Sequence, residues 1–156
     1  MSAQPAPPFD QSRIIGDTCL CLDVQRASRA IGRRFDDAFR PLGLNNWQFS
    51  LLMTLNRPTP HTMSSLAERL AMDRTTTTAN LKPLEHRGLV QVRRDEEDAR
   101  ARRIVLTEAG RAVLAEAVDR WRAANDAVIA SLGGTDLTAF RAALRTVAGV
   151  RSSSRT

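Results

Sequence analysis

The sequence predicts a mostly α-helical fold with one small β-hairpin. Between residues 64 and 110, two short helical patterns are separated by a turn and followed by apolar runs at 89–92 and 103–106. Apolar side chains repeat every three or four residues in the helices and cluster in short runs in the strands. Helix, turn, helix and hairpin in this order are typical of a winged helix-turn-helix, which we place at about 45–110.

The first helix of this unit has one apolar face and several alternative starts. Its apolar positions at helical spacing are Leu66, Ala67 and Leu70. Thr62 or Ser64 can cap the first turn, whereas Ser65 with Glu68 can form a capping box one register later. The sequence leaves these starts open.

The second helix has signals for its start, its buried face and its end. Asp73 can accept hydrogen bonds from the first turn, and Gly88 stands where a left-handed stop is needed. The buried stripe is predicted to be Thr77, Leu81 and Leu84. Four consecutive threonines also suit a β-strand, but the cap, the spacing and the stop favour a helix. Pro83 removes a backbone donor and predicts a bent or tightened last turn.

The opposite face of the second helix is predicted to enter the major groove of DNA. It carries Thr75, Ala79, Lys82 and His86, flanked by Thr76 and Thr78. Small or positively charged side chains fit a groove about 12 Å wide. Hydroxyls can donate to phosphates or base edges, and Thr and Ala methyls can contact thymine methyls. The residues predicted to bind DNA from this helix are Arg74, Thr75, Thr76, Thr78, Asn80 and Lys82.

The charged loop between the two strands is predicted to be a wing. From Arg93 to Arg103 the chain has five Arg and four acidic residues. A pair of Asp98 with Arg100 can stiffen the loop while other guanidiniums bind phosphate or a narrow minor groove. A solvated hairpin tip is the alternative, which the preceding helix-turn-helix disfavours. The predicted DNA contacts here are Arg94, Asp98, Arg100 and Arg102.

The segments LAERLAMDRTTTTANLKPLEHRGLV and DEEDARARRIVLTEAG resemble the MarR family of bacterial transcriptional regulators. The shared pattern includes Leu-Glu-x-x-Gly-Leu-Val at 84–90, Asp98-x-Arg100, and Leu106-Thr107-x-x-Gly110. Over about residues 14–150, the resemblance implies a dimeric, mostly helical regulator of a pseudo-palindromic operator. Members of this family are often released from DNA by a small ligand or an oxidant.

The same resemblance implies a role for particular residues. It places the helix at 74–87 in the major groove and Arg100 near the minor groove. Ala79 and Pro83 depart from the family pattern, because a longer polar residue is common at the first position and proline is unusual at the second. These departures imply fewer base contacts.

Long helical patterns flank the reading unit. A long helix is predicted from about 13 to 40, with apolar residues that step by three or four at Leu20, Val24, Ala27, Ile31, Phe35 and Phe39. Pro41-Leu42-Gly43 ends it before a helix capped by Asn45 or Asn46. Two further helices are predicted within 111–149, opened by Thr107 and Asp136. The apolar stripes of these flanking helices are larger than the reading unit can cover, so we expect 13–40 and 111–149 to interlock two copies as a homodimer. A monomer that folds its own ends together is the alternative.

The sequence predicts one domain at 13–150, between a disordered Pro-rich tail at 1–12 and a flexible tail at 151–156. Lys and Arg number 23 against 17 Asp and Glu, and the net charge of +6 favours a polyanionic partner. No apolar run approaches the ~20 residues that span a bilayer, and no signal peptide pattern is present. We therefore expect a cytoplasmic protein with no membrane partner.

The cysteines offer a redox hypothesis. Cys19 and Cys21 lie two apart on the predicted first helix, where they cannot bridge each other. The stretch from Cys21 to Arg29 is similar to the start of OhrR-type peroxide sensors, which implies that Cys21 is the reactive residue. Those sensors stabilise the thiolate with tyrosine hydroxyls, and this chain has no Tyr. A small apolar packing role for Cys21 is the alternative.

The remaining candidates concern small ligands. The family's usual pocket lies between the dimer helices and the reading unit, and its predicted effector-binding residues are Arg26, Arg33, Trp47, Phe49, His61 and Trp121. Each aromatic residue can instead belong to the core. The spacing of Cys19, Cys21, His61 and His86 fits no standard zinc motif, so we predict no metal site and no cofactor.

The sequence is consistent with three functions. The first is a sequence-specific transcriptional regulator of double-stranded DNA, expected to be a repressor that a small molecule releases. The second is a redox-sensing regulator acting through Cys21, and the third is a constitutive architectural DNA-binding protein. An enzyme is disfavoured, because the chain has only two His, no Gly-rich phosphate loop and no nucleophile elbow.

Overall fold

A computed structural model describes residues 6–95 and 102–149 and confirms a mostly helical fold with a small antiparallel sheet. The helices are α1 (Phe9–Thr18), α2 (Leu20–Phe39), α3 (Asn46–Leu55), α4 (Met63–Arg69), α5 (Arg74–His86), α6 (Glu108–Ala130) and α7 (Leu137–Val147). The strands are β1 (His61–Thr62), β2 (Val90–Arg94) and β3 (Arg102–Leu106), and a short 3-10 turn spans Arg40–Leu42.

The described residues form two compact units whose boundary lies inside α6. The first unit ends at Ala124 and contains α1 to α5, the sheet and most of α6. The second begins at Asn125 and contains the end of α6 and all of α7. The single domain at 13–150 therefore stays a prediction.

Side-chain caps begin most of the helices. The Asn45 side chain caps α3 by accepting a hydrogen bond from the Gln48 N–H. The Gln48 side chain accepts one from the Asn45 N–H, which completes a capping box. At α4 the structure decides the open question, because Thr62 is the cap and Ser65 is its box partner. Asp73 caps α5 as predicted. Such bonds satisfy N–H groups that a helix start leaves without partners.

The end of α5 is a Schellman turn, in which two backbone N–H groups bond back to carbonyls of the last helical turn. The Gly88 N–H donates to Glu85 O, and the Leu89 N–H donates to Leu84 O. Gly88 has φ of +68°, which favours glycine and confirms the predicted left-handed stop. The helix continues through Pro83 as far as His86.

Buried aromatic rings join α2 to α3 in the core of the first unit. Phe39 stacks on Phe49 with ring centroids 4.4 Å apart and on Phe35 at 6.0 Å. The largest fully buried side chains of this core are Phe39, Leu51, Leu52, Leu66, Leu84, Ile104, Val90 and Thr77. These residues come from α2, α3, α4, α5 and the sheet, so one core holds all the elements of the reading unit.

The sheet has three strands in the order β1-β3-β2, all antiparallel. The predicted hairpin is confirmed, with Val90 opposite Leu106 and Arg94 opposite Arg102. Strand β1 adds His61 opposite Ile104, which the sequence analysis missed. A strand of two residues is too short to show an alternating pattern.

The N-terminal region differs from the prediction in two ways. The helix expected at 13–40 is two helices, because Cys19 has an extended backbone with ψ of 101° between α1 and α2. Gly16 and Thr18, which have low helix propensity, precede this break. The prediction of a disordered tail over 1–12 is wrong from Phe9 onward, because a helix begins there. Pro8 is its N-cap residue, and the Pro8 carbonyl accepts hydrogen bonds from the N–H groups of Gln11 and Ser12.

Gly110 lies where α6 crosses the end of the hairpin and has no space for a side chain. A Cβ built there would lie 2.0 Å from Leu89 O and 2.8 Å from Leu106 Cδ1. Its N–H also donates to Thr107 Oγ1, which caps α6 as predicted. The position therefore requires glycine because of a close backbone approach.

We expect Gly110→Ala to lower the free energy of unfolding by about 3 kcal/mol, near the upper end of the usual cost of overpacking, because the nearest atom belongs to the backbone. Urea denaturation of both proteins measures the difference. Gly134→Ala is the matched control, since nothing lies within 4 Å of its Cβ position. Equal unfolding midpoints for Gly110→Ala and the parent protein would contradict the packing described here.

Candidate nucleic-acid interface

Helix α5 has one buried face and one exposed face. Thr77, Leu81 and Leu84 are buried, and Thr77 is 0% exposed, which confirms the predicted stripe. The Thr77 hydroxyl donates to Asp73 O at 2.9 Å, so its polar atom is satisfied inside the core. Arg74, Thr75, Ala79 and Lys82 are exposed on the outward side.

Several polar groups of α5 are engaged within the helix itself. The Thr76 hydroxyl donates to Asp73 Oδ2 at 2.7 Å, and the Thr78 hydroxyl donates to Arg74 O at 2.7 Å. The Asn80 amide donates to Thr76 O at 3.0 Å. Thr75 has no side-chain hydrogen bond within the part of the chain that the structure describes.

The carboxylate of Asp73 is held in its charged form. Backbone and side-chain hydrogen bonds from Thr76 lower the pKa of Asp73 below its ordinary value. Because the ionised carboxylate is the better acceptor, the cap of α5 is fully formed at neutral pH.

An open recess of about 370 Å³ crosses the exposed face of α5. Its lining residues are Arg74, Thr75, Thr78, Ala79 and Lys82. Four of the six DNA-binding residues predicted on this helix therefore lie together. Thr76 and Asn80 do not line the recess, and Asn80 Oδ1 instead accepts from Asn45 Nδ2 at 3.5 Å. All six stay predictions as DNA contacts.

The hairpin supplies a second group of arginines. Arg94 and Arg102 are exposed and face each other across β2 and β3. Asp98 and Arg100, the other predicted wing contacts, lie outside the described residues. Arg103 is ion-paired with Asp95 and donates to Pro60 O at 3.4 Å. Both groups lie within the protein, so these contacts of Arg103 stabilise the sheet.

Sequence reasoning missed the side chain that anchors the end of α5. Arg87 donates from Nη1 to Gly43 O at 2.7 Å and from Nη2 to Leu42 O at 2.9 Å. These carbonyls belong to the turn that follows α2. The two bonds join residues more than 40 positions apart, so no local pattern could have indicated them.

A groove of about 530 Å³ runs between α2 and the start of α3. Its lining residues are Ser28, Arg29, Ile31, Gly32, Arg33, Asp36, Asn46 and Trp47. Trp47 is 49% exposed, and the Asn46 N–H donates to Asp36 Oδ1 at 2.7 Å. Two of the six predicted effector-binding residues, Arg33 and Trp47, lie together here.

The other four effector candidates do not line this groove. Phe49 is 7% exposed and stacks on Phe39, so its ring is part of the core. Arg26 is exposed on α2, and Trp121 is 38% exposed on α6. His61 lies in β1, where its ring nitrogens are both engaged.

His61 joins the sheet to the first turn of α4. Arg57 Nη1 donates to His61 Nε2 at 2.9 Å, so Nδ1 carries the hydrogen that is donated to Ser65 Oγ at 2.9 Å. Ser65 is the box partner of the Thr62 cap. Burial, with the positive charges of Arg57 and Arg69, lowers the pKa of His61.

The two cysteines are free thiols with different surroundings. Cys19 lies at the break between α1 and α2, not within one helix as predicted. Cys21 is exposed on α2, and its Sγ accepts from Gln25 Nε2 at 3.3 Å. Over residues 6–95 and 102–149, no three His, Cys, Asp or Glu side chains are grouped as metal ligands. Within the same ranges, no helix is both long and apolar enough to span a bilayer.

Comparison with known proteins gives consistent matches. A sequence profile of the MarR family matches residues 44–101. The organic hydroperoxide resistance transcriptional regulator of Bacillus subtilis is 31% identical over 111 residues, covering 71% of this chain and 74% of the relative. The crystal structure of the M. tuberculosis transcriptional regulator MosR is 39% identical with a TM-score of 0.74, covering 86% of this chain and 96% of that one. The same regulator in complex with DNA is 42% identical with a TM-score of 0.73, covering 83% and 92%.

We expect the folded state to lose stability as the pH falls below about 6.5, the usual pKa of histidine, because of His61. Its lowered pKa means that the unfolded chain binds the proton more readily, so stability rises with pH in this window. His61→Gln keeps one acceptor and one donor but does not titrate. Urea unfolding at pH 7.5 and pH 5.5 should therefore show a larger loss for the parent protein than for His61→Gln, and equal losses would refute the role of His61.

Proposed function

The chain belongs to the MarR family and is a DNA-binding transcriptional regulator rather than an enzyme, and we propose that it is a repressor whose operator complex is released by a small aromatic acid. The observation that carries the DNA-binding part is the exposed face of α5. Arg74 and Lys82 lie at the ends of an open recess, with only short side chains between them. That shape and charge suit the major groove of double-stranded DNA.

The proposed active form is a homodimer on a pseudo-palindromic operator. Exposed apolar side chains in α1 and α2 are Phe9, Ile14, Ile15, Leu20, Val24 and Ile31. Those in α7 are Phe140, Leu144 and Val147. Apolar surface of this kind usually marks an interface. Two copies of α5 would then contact half-sites about 34–36 Å apart, one turn of duplex.

The groove between α2 and α3 is the proposed effector site. Arg29 and Arg33 offer two cationic groups, and the exposed indole of Trp47 offers a flat apolar surface. Together they suit a ligand with an aromatic ring and a carboxylate. Asp36 already accepts a hydrogen bond from Asn46 at the start of α3, so a bound anion changes the charge balance next to that helix.

Redox sensing through Cys21 is a second candidate. The thiol is exposed and has an amide donor at 3.3 Å, and one relative is an organic hydroperoxide resistance regulator. Thiolate formation and access are what peroxide chemistry requires. The two candidates differ in the residue needed for release, which makes them separable.

We expect Lys82→Ala to weaken binding to all duplexes and to reduce the salt dependence of binding by about one unit of slope for each Lys82 in the complex. The physical reason is the release of one fewer counterion per contact. The measurement is the dissociation constant over a range of KCl, for an operator selected from a randomised duplex library. Arg111→Ala, which removes one exposed charge from α6, is the control and should leave the slope unchanged. An unchanged slope for Lys82→Ala would exclude a phosphate contact.

We expect Arg33→Ala to raise the concentration of aromatic carboxylate that half-releases the operator by about tenfold, the value of one charge-assisted hydrogen bond of roughly 1.5 kcal/mol. Fluorescence anisotropy of labelled operator measures release by a panel of benzoates and cinnamates. Arg26→Ala is the matched control, because Arg26 is on the same helix but does not line the groove.

The same titration with an organic hydroperoxide separates the candidates. Release by hydroperoxide in the parent protein but not in Cys21→Ser, with no release by carboxylates, would replace the effector proposal with redox sensing. Stable binding under every addition would favour a constitutive architectural protein.

A further inference from the structure

Between its charged ends, Arg74 and Lys82, the recess on α5 presents methyl groups more than hydrogen-bond donors. Within the described residues, the hydroxyl hydrogen of Thr78 is engaged by Arg74 O, and Ala79 has no polar atom. Thr76 and Thr77, the other two threonines of the run, donate to Asp73. A hydroxyl that bonds back to its own helix has no hydrogen left for a base edge.

We propose that α5 recognises its operator through the 5-methyl groups of thymine, which contact the methyls of Thr75, Thr78 and Ala79. The inference rests on the proposed major-groove binding of α5 and adds to it the chemical feature that is read. In the major groove the 5-methyl group is what distinguishes thymine by apolar contact. The charged ends of the recess, Arg74 and Lys82, then position the helix on phosphates without selecting a sequence.

The geometry favours close apolar contact in the middle of the recess. Ala79 lies four residues after Thr75 and three before Lys82, so all three share one face of α5. Ala79 is exposed and short, which lets a base edge approach the helix backbone. Asn80, the amide on this helix most suited to reading adenine, does not line the recess, and its amide groups are bonded to Thr76 O and Asn45.

Thr75 distinguishes methyl reading from hydroxyl reading. Its hydroxyl has no partner among residues 6–95 and 102–149, so Thr75 offers both a donor and a methyl. Thr75→Val puts a second methyl in place of the hydroxyl, whereas Thr75→Ser deletes the methyl and keeps the hydroxyl. The two variants therefore form a matched pair that separates the methyl from the hydroxyl.

The experiment replaces each thymine of the selected operator by deoxyuridine, which lacks only the 5-methyl group. At fixed salt we expect dissociation constants to rise about fourfold for each contacted position, the value of one buried methyl-sized group. For Ala79→Gly and for Thr75→Ser, the ratio of the dissociation constants of the uracil and thymine operators should fall to about one at one position. For Thr75→Val this ratio should stay as in the parent protein. Because the ratio is taken within one variant, a change in helix stability cancels.

Three outcomes are distinguishable. Uracil effects that disappear in the methyl-deleting variants support the proposal. A selected operator that binds equally with thymine or uracil, together with weaker binding by Thr75→Val than by Thr75→Ser, overturns methyl reading and leaves the DNA-binding function intact. Failure of the full-length protein to select any duplex overturns both.

Discussion

The structure depends on the way both ends of α5 are held. At the start, Asp73 accepts from the N–H and the hydroxyl of Thr76, each at 2.7 Å. At the end, the Gly88 turn closes the helix and Arg87 binds two carbonyls of the turn after α2. With its inner face in the core, the helix has little freedom to rotate or slide. A helix held in this way can present the same outward atoms to every operator.

Hydrogen bonds at the start of α3 connect the groove between α2 and α3 with α5. Asp36 lines the groove and accepts from the Asn46 N–H, while the adjacent Asn45 caps α3 and donates to Asn80 on α5. Arg87 makes a second link from α5 to the turn at Gly43. An anion that alters the bond at Asp36 therefore acts on the residue next to one that contacts α5. Coupling through such a chain requires only that the start of α3 has two arrangements with different DNA affinity.

The features that could be predicted from the sequence are those whose interacting residues lie close together along the chain. The caps Asp73 and Thr107, the buried stripe of α5 and the stop at Gly88 depend on residues nearby in the sequence, and all are confirmed. For α3 the sequence left Asn45 and Asn46 open, and the structure selects Asn45. Strand β1 and the Arg87 anchor depend on residues about 40 positions away, and no local pattern indicates them. The break at Cys19 was missed for a different reason, because the apolar stripe begins at Leu20 and the predicted helix was extended back to about residue 13 across the weak helix formers Gly16 and Thr18.

The candidate site was harder to predict than the fold because a hydroxyl hydrogen or a ring face that is engaged inside the protein is not available to a ligand. From the sequence, the threonines offered both hydroxyls and methyls to DNA, and Phe49 was open between a pocket wall and the core. In the folded chain the hydroxyls of Thr76 and Thr78 donate to α5 and its cap, and Phe49 stacks on Phe39. Composition and sequence spacing do not show whether a side chain contacts another part of the protein or a ligand, whereas interatomic distances in the folded chain do. The threonine run therefore has two roles, since the Thr76 hydroxyl bonds to the cap of α5 while Thr75 and Thr78 line the recess on its outer face.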